Sequence, residues 1–259
     1  MCTRLQQHIV RFTGALVLVS ATACGDGYGS SPSVPLPQAT VVTASGDLTA
    51  KLAEFRAQLG DPSNGSAKGQ QPSGRREINW DGVPATVTNT STFPLDFFNV
   101  NLTRGLILST LGSGLRVSDN DFSDLNPLYD GDFDDFSPAK TFMAAGSTVT
   151  DVTFRVAGDT AQAAVRGFGV VFSDVDVASA TYVELFDATG RRIARVAAPV
   201  RSDAKGHSLV GVTFAAAIVT RVRITSGQAS LGAAKDITDG GTLDLVVMDD
   251  FLYGEPTKR

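Results

Sequence analysis

Residues 148–156, TVTDVTFRV, alternate apolar and polar side chains for most of their length. Successive side chains of a strand point to opposite faces, so such a run has one wet face and one dry face. The run 221–224, RVRI, behaves the same way. Two segments break the alternation. Residues 170–172 (VVF) and 245–248 (LVVM) are apolar on both sides and read as central strands. Working outward, strands are expected at 77–80, 105–109, 148–156, 164–173, 181–187, 192–200, 208–214, 219–225 and 243–253. These runs are rich in Val, Ile, Phe and Thr and are separated by Gly, Asp, Ser and Asn. Residues 186–191, FDATGR, read as a hairpin in which Gly190 supplies the positive φ of the loop. The pattern predicts an all-β protein, an antiparallel β-sandwich of jelly-roll type over residues 75–256.

One helical period interrupts this picture. Within 47–60, Leu48, Leu52, Phe55 and Leu59 form one apolar stripe. Ser45 or Asp47 can cap the start, and Gly60 before Asp61-Pro62 ends it. This short amphipathic helix is expected to dock on the domain or on a neighbour. Residues 24–46, rich in Gly, Ser and Pro, read as a tether, and 61–74, DPSNGSAKGQQPSG, as a second linker.

The composition narrows the function classes. The chain has 259 residues, 42% hydrophobic and 19% charged, which is enough apolar material for a core. No apolar run reaches the ~18–20 residues of a membrane-spanning helix. The formal net charge is −5, and the 27 acids comprise 23 Asp and 4 Glu. Asp favours turns and hard-cation sites where Glu favours helices. An acidic chain without basic blocks argues against nucleic acid as a partner.

The N-terminus reads as an address. Arg4 and Arg11 precede the short apolar run 12–19, FTGALVLV, and small residues 20–23, SATA, lead to Cys24. Residues 1–23 are thus expected to be a secretory signal. A Cys directly after the cut resembles the lipobox of bacterial lipoproteins, although Ala21 stands where Leu is usual. The resemblance implies acylation of Cys24, anchoring to a membrane and residence in the bacterial cell envelope. Asp26 lies one residue beyond the position of an inner-membrane retention signal, which leans towards the outer membrane or cell surface. Cys2 leaves with the signal, so the remaining chain can form no internal disulfide.

Three segments carry a further resemblance: 74–84 (GRREINWDGVP), 166–176 (RGFGVVFSDVD) and 247–256 (VMDDFLYGEP). They are similar to a family of exported bacterial proteins that has no known activity, and the similarity covers about residues 45–256. More distantly, the FDATG hairpin and closing DDFxYG strand resemble secreted jelly-roll modules of the galactose-binding or carbohydrate-binding type. That likeness implies a sandwich and a binding role, with no sugar-contact motif to carry over.

In such modules the first and last strands lie side by side, and a structural Ca²⁺ often joins them. Asp81, Asp249 and Asp250 are therefore the first candidate calcium ligands, against a hydrogen-bonded role without an ion. Asp249 and Asp250 are adjacent on a strand and are expected to point to opposite faces. Asp130, Asp132 and Asp134 form a second candidate set with the alternate spacing of a calcium loop. Asp135 replaces the Gly of an EF-hand and no Glu closes the loop, so an EF-hand is rejected. Phe122, Phe133 and Phe136 suggest that this acidic loop packs on the sandwich. Asp174 and Asp176, in FSDVD, read as turn caps before ligands.

Catalytic signatures are scarce. His207 is the one His left after the signal and reads as a turn residue. There is no GxSxG elbow, and Glu184 and Asp187 do not match the three-acid strand of jelly-roll glucanases. Trp80 and Tyr129 are the aromatics able to offer a stacking platform for sugar rings, although burial in the core is the commoner fate of such residues. The sequence thus favours a non-catalytic, calcium-stabilised binding or surface module, with glycan as the candidate ligand. The rivals are a glycan-acting hydrolase using Asp carboxylates and a structural envelope protein without a small ligand.

Overall fold

The computed structural model describes residues 35–201, 206–232 and 235–259. The expected signal segment 1–23 and the acylation site Cys24 lie outside the described residues. In chain order the strands are β1 (Ala39–Ser45), β2 (Arg75–Ile78), β3 (Leu106–Thr110), β4 (Gly114–Ser118), β5 (Thr141–Ala145), β6 (Val149–Phe154), β7 (Ala163–Ala164), β8 (Gly167–Ser173), β9 (Tyr182–Phe186), β10 (Arg192–Ala197), β11 (His207–Phe214), β12 (Arg221–Thr225), β13 (Val247–Gly254) and β14 (Thr257–Lys258). Two helices, α1 (Thr49–Leu59) and α2 (Phe97–Val100), complete the regular elements among the described residues, apart from single 3₁₀ turns.

The strands form the expected antiparallel sandwich. One sheet has the order β1-β11-β8-β13-β5-β4, with β2 also paired to β13, and the other runs β10-β9-β12-β6-β3. The chain crosses between the sheets at most connections, as in a jelly roll. The facing sides enclose one core of Val, Leu, Ile and Phe side chains, including Leu108, Val152, Phe168, Val170, Val222 and Phe251. All nine expected strands are present, with ends shifted by a few residues. The 186–191 hairpin is also present. Gly190 has φ 81°, and the Asp187 carboxylate accepts the Thr189 and Arg191 amides at 2.9 and 3.1 Å.

The alternation of β6 and β12 has the predicted consequence. Their outward residues Asp151 and Arg223 lie opposite each other, and Arg223 donates two hydrogen bonds to Asp151 at 2.9 and 2.6 Å. The larger sheet is covered on its outer side as well, which explains the doubly apolar β8 and β13. Helix α1 covers one half. Leu48, Leu52, Phe55 and Leu59 are buried against Val171, Leu209 and Leu252. Phe55 fits because the paired residues Gly169 and Gly211 carry no side chain. A Cβ there would lie 2.3 or 2.6 Å from its ring. Phe122, Tyr129 and Phe133 of the acidic loop cover the other half, against Met143, Leu245 and Val247.

Two expected boundaries are corrected. Residues 39–45, assigned to the tether, form β1 and pair along their whole length with β11. The run ATVVTAS is β-branched and alternating, but its Pro-rich neighbours masked it. The compact unit accordingly spans Leu36–Arg259 and does not begin near Arg75. The expected linker 61–74 is likewise pinned to the domain. Asn64 Nδ2 and the Gln71 amide both donate to Glu255, at 2.8 and 3.0 Å.

Candidate metal centre

Two acidic segments meet at one end of the larger sheet. Strand β8 ends at Ser173, and the next residue, Asp174, takes a left-handed φ of 70° that turns the chain. Its amide donates to the Gly206 carbonyl at 3.0 Å, and its side chain is fully enclosed, with 0% exposure. Asp176 follows two residues on. The other segment is the loop before β13, where Asp236 is buried. Ligand oxygens of Asp174, Asp176 and Asp236 all lie within 4.8 Å of one another. This triad could hold a metal ion.

The surroundings sharpen the point. Asp174 Oδ1 is shielded from solvent and has no hydrogen-bond partner. Its Oδ2 receives only a long hydrogen bond, 3.4 Å, from Thr238 Oγ1, which also reaches Asp176 at 3.3 Å. Asp236 is better served, accepting the Leu245 amide at 2.6 Å and the Thr238 amide at 3.0 Å. Asp244 accepts the amides of Asp176 and Val177, both at 3.2 Å. Burial, together with the charges of Asp236 and Asp176, pushes the Asp174 carboxyl up to about 8. Asp244 is raised to about 6, chiefly by burial. Four carboxyl groups gathered in a partly buried place are a costly arrangement, and hard oxygen ligands of this kind are what Ca²⁺ selects.

Neither candidate set from the sequence forms such a centre. Among the described residues, Asp81, Asp249 and Asp250 do not bring ligand atoms within 4.8 Å as a group of three, and neither do Asp130, Asp132 and Asp134. The expected neighbours are real, since β2 pairs with β13. Asp81 instead accepts from Asn79 Nδ2 at 2.9 Å. Asp249 accepts the amides of Phe136 and Ser137 at 2.7 and 3.1 Å.

The expectation that Asp249 and Asp250 face opposite ways is corrected. A register shift between Met248 and Phe251 breaks the alternation of β13 at these residues. The single hydroxyl of Ser137 lies 3.0 Å from Asp249 Oδ1 and 2.8 Å from Asp250 Oδ1. Burial raises both carboxyls above the usual range, and the Asp250 charge adds to the effect at Asp249. In the second set, the residues diverge. Asp130 is exposed, Asp132 is 8% exposed and directed towards the loop of Asp236, and Asp134 uses its backbone, with its amide donating to Ser173 Oγ and its carbonyl meeting His207 Nε2, each at 3.0 Å.

Both aromatic candidates belong to the interior. Trp80 is 1% exposed, stacks on Phe142 at 4.0 Å and donates its indole N–H to the Asp249 carbonyl at 2.9 Å. Tyr129 is 0% exposed and donates its hydroxyl to the Gly232 carbonyl at 2.9 Å. Neither offers a face to a sugar. A cavity of about 550 Å³ lies instead beside α1, lined by Leu52 and Phe136 as well as by Arg56, Glu77, Arg104 and Asp250. Burial favours a neutral Glu77, but the guanidinium groups of Arg56 and Arg75 outweigh it and hold the carboxyl below its ordinary value.

Sequence reasoning missed Asp236, Asp239 and Asp244. The signal was the segment 235–244, KDITDGGTLD, in which acids recur beside Gly240 and Gly241. The fold and site together define an all-β sandwich with an acidic triad that could hold a metal ion at one end of its larger sheet. No family model and no curated protein matches the sequence. A solved structure, the enzymatically active domain of tailspike protein 4 of bacteriophage CBA120, is similar over 67% of this chain at 13% identity, with a TM-score of 0.29. The similar region spans 22% of that chain, and a superposition this loose transfers neither fold nor activity.

Proposed function

We propose that this chain is an exported, lipid-anchored β-sandwich that serves as a non-catalytic binding or surface module in the bacterial cell envelope and is stabilised by calcium at Asp174, Asp176 and Asp236. The observation that carries the calcium reading is Asp174, wholly enclosed, with one unpartnered oxygen among further carboxylates. An ion there would tie the end of β8 to the loop before β13. The signal-like run ending at Cys24 supports export and anchoring. With Trp80 and Tyr129 interior, the cavity beside α1 is the candidate place for a glycan.

The test is thermal unfolding of the purified chain in calcium and in chelator. Calcium at 100-fold excess over its dissociation constant adds about 2.7 kcal/mol if it binds only the folded state. For a domain of this size that is a rise of about 5–10 °C in Tm. Asp174→Asn is expected to abolish the rise. No shift in the unaltered protein would remove calcium from the account.

A second reading, glycan hydrolysis, is supported by one observation. Asp250, raised, and Glu77, lowered, line the same cavity, and a pair of carboxyls with opposed shifts suits acid and base roles. Release of reducing sugar from envelope polysaccharide that is lost in both Asp250→Asn and Glu77→Gln would favour it over the binding module.

A further inference from the structure

Around β2 and the cavity beside α1, the arginines outnumber the acids that pair with them. Arg56 and Arg75 both pair with Glu77, each at 2.7 Å, and Arg75 also pairs with Asp61. Arg76 pairs with Glu255 at 2.8 Å. Arg104, which lines the cavity, has no carboxylate partner among the described residues. It donates to the Glu77 carbonyl and, at 3.3 Å, to Ser66 Oγ, while its Nη2 makes no hydrogen bond. Asp250 on the same cavity is bound to Ser137 Oγ at 2.8 Å, and burial raises it towards its neutral form. Arg104 is half-buried, and burial pushes its guanidinium below its ordinary value. Such a group stays charged in a protein, and taking it partly out of water is costly unless an anion meets it.

The rest of the wall says what should carry that anion. Leu52, Phe136 and Pro138 give the cavity an apolar side, and Asn79 adds an amide. An apolar wall with a few placed polar groups suits the C–H face and hydroxyls of a sugar ring. The volume, about 550 Å³, exceeds what a bare inorganic anion needs. One spare guanidinium matches one negative charge, and its planar donors fit a carboxylate. We infer that the cavity takes an acidic saccharide, a hexuronate whose carboxylate is held by Arg104 and whose ring lies on Leu52, Phe136 and Pro138. The assignment rests on the reading of this cavity as the place of a glycan.

The experiment is calorimetric titration of the full chain with trimers of glucuronate, galacturonate and mannuronate, each beside its neutral hexose trimer. The members of a pair differ only in carboxylate against hydroxymethyl. The expected result is that one hexuronate trimer binds about tenfold or more tightly than its neutral counterpart, and that added salt weakens it. Arg104→Gln, which keeps a donor for the Glu77 carbonyl, should weaken that binding about tenfold and leave the neutral trimer unaffected. Equal or tighter binding of the neutral trimer overturns the acidic assignment and keeps the glycan reading. Hexuronate binding that Arg104→Gln leaves unchanged overturns the assignment to this cavity. Binding of neither kind overturns both readings. Should Arg104→Gln fail to fold, Thr49→Glu, at an exposed position of the cavity wall, sets a negative charge there and carries the same expected weakening.

Discussion

Two buried charged regions of this molecule are solved in opposite ways. At one, Arg76 and Glu255 face each other with 0% and 5% side-chain exposure. Two parallel hydrogen bonds of 2.8 Å join them. Every remaining demand is met nearby: Arg76 also donates to the carbonyls of Gly65, Thr103 and Gly69, and Glu255 also accepts from Asn64 and Gln71. At the other, Asp174, Asp176, Asp236, Asp244, Asp132 and Asp239 meet with amides and one threonine hydroxyl, and three oxygens have no partner at all. The first region is electrostatically closed and holds the 61–74 segment to the C-terminal strands. The second has oxygens left over, and its triad Asp174, Asp176 and Asp236 could hold a metal ion. The contrast teaches that buried charge has a structural meaning only once its partners are counted.

Four measurements break or sharpen this contrast. The largest effect is expected at the closed region. Arg76→Met leaves Glu255 buried without its guanidinium, and such losses cost about 3–5 kcal/mol. The urea midpoint should fall accordingly, and calcium should not restore it to the unaltered value. A loss below 1 kcal/mol would show that water reaches Glu255. Next comes Asp174→Asn in chelator. With its carboxyl raised to about 8, folded Asp174 must hold a proton at pH 7 that the unfolded chain has released; Asn needs none, so the variant should be more stable by about 1 kcal/mol or more, since one pKa unit corresponds to about 1.4 kcal/mol. The same variant in calcium should be the less stable of the two. Destabilisation in both conditions would give Asp174 a purely structural role.

The third concerns pH. Asp249 and Asp250 have folded values raised above their unfolded ones. The folded state therefore holds a proton that the unfolded chain has released, and stability falls as pH rises from the ordinary carboxylate range, about 4, through the raised folded values. Asp250→Asn should flatten that fall when denaturation midpoints are compared between pH 5 and pH 8. An unchanged slope would place the protonation elsewhere. The smallest effect is expected on the surface of α1. Lys51 donates to Glu54 at 2.7 Å, with both side chains about half exposed. Exposed pairs of this kind contribute about 0–1 kcal/mol, so Glu54→Gln should leave the midpoint nearly unmoved.

Much of the architecture was legible. Alternation in β6 and β12 and the doubly apolar β8 and β13 are local consequences of which face meets water. The stripe of α1 is equally local, and so is the Asp187–Gly190 turn. The short strands were less legible. β4 reads GLRVS and β5 reads TFMAA, which carry little β-branched or alternating signal, and they become strands through their pairing with each other. The site was legible only at Asp174 and Asp176, and there capping was preferred over ligation.

What the sequence by itself determined is periodicity and composition. The period of two sets strands and faces, the apolar stripe sets a docked helix, and the surplus of Asp over Glu announces turns and oxygen ligands. The tertiary structure alone decided which acids meet. Asp132, Asp174 and Asp236 are distant along the chain, and their meeting depends on where β8 ends, how the loop before β13 turns and where the acidic loop lies down on the outer face of the sheet. It also decided that Trp80 and Tyr129 are interior and that Asp249 and Asp250 share Ser137. The first follows from how core volume is filled, the second from a break in strand register. Both are properties of packing between distant segments, which local side-chain patterns do not encode.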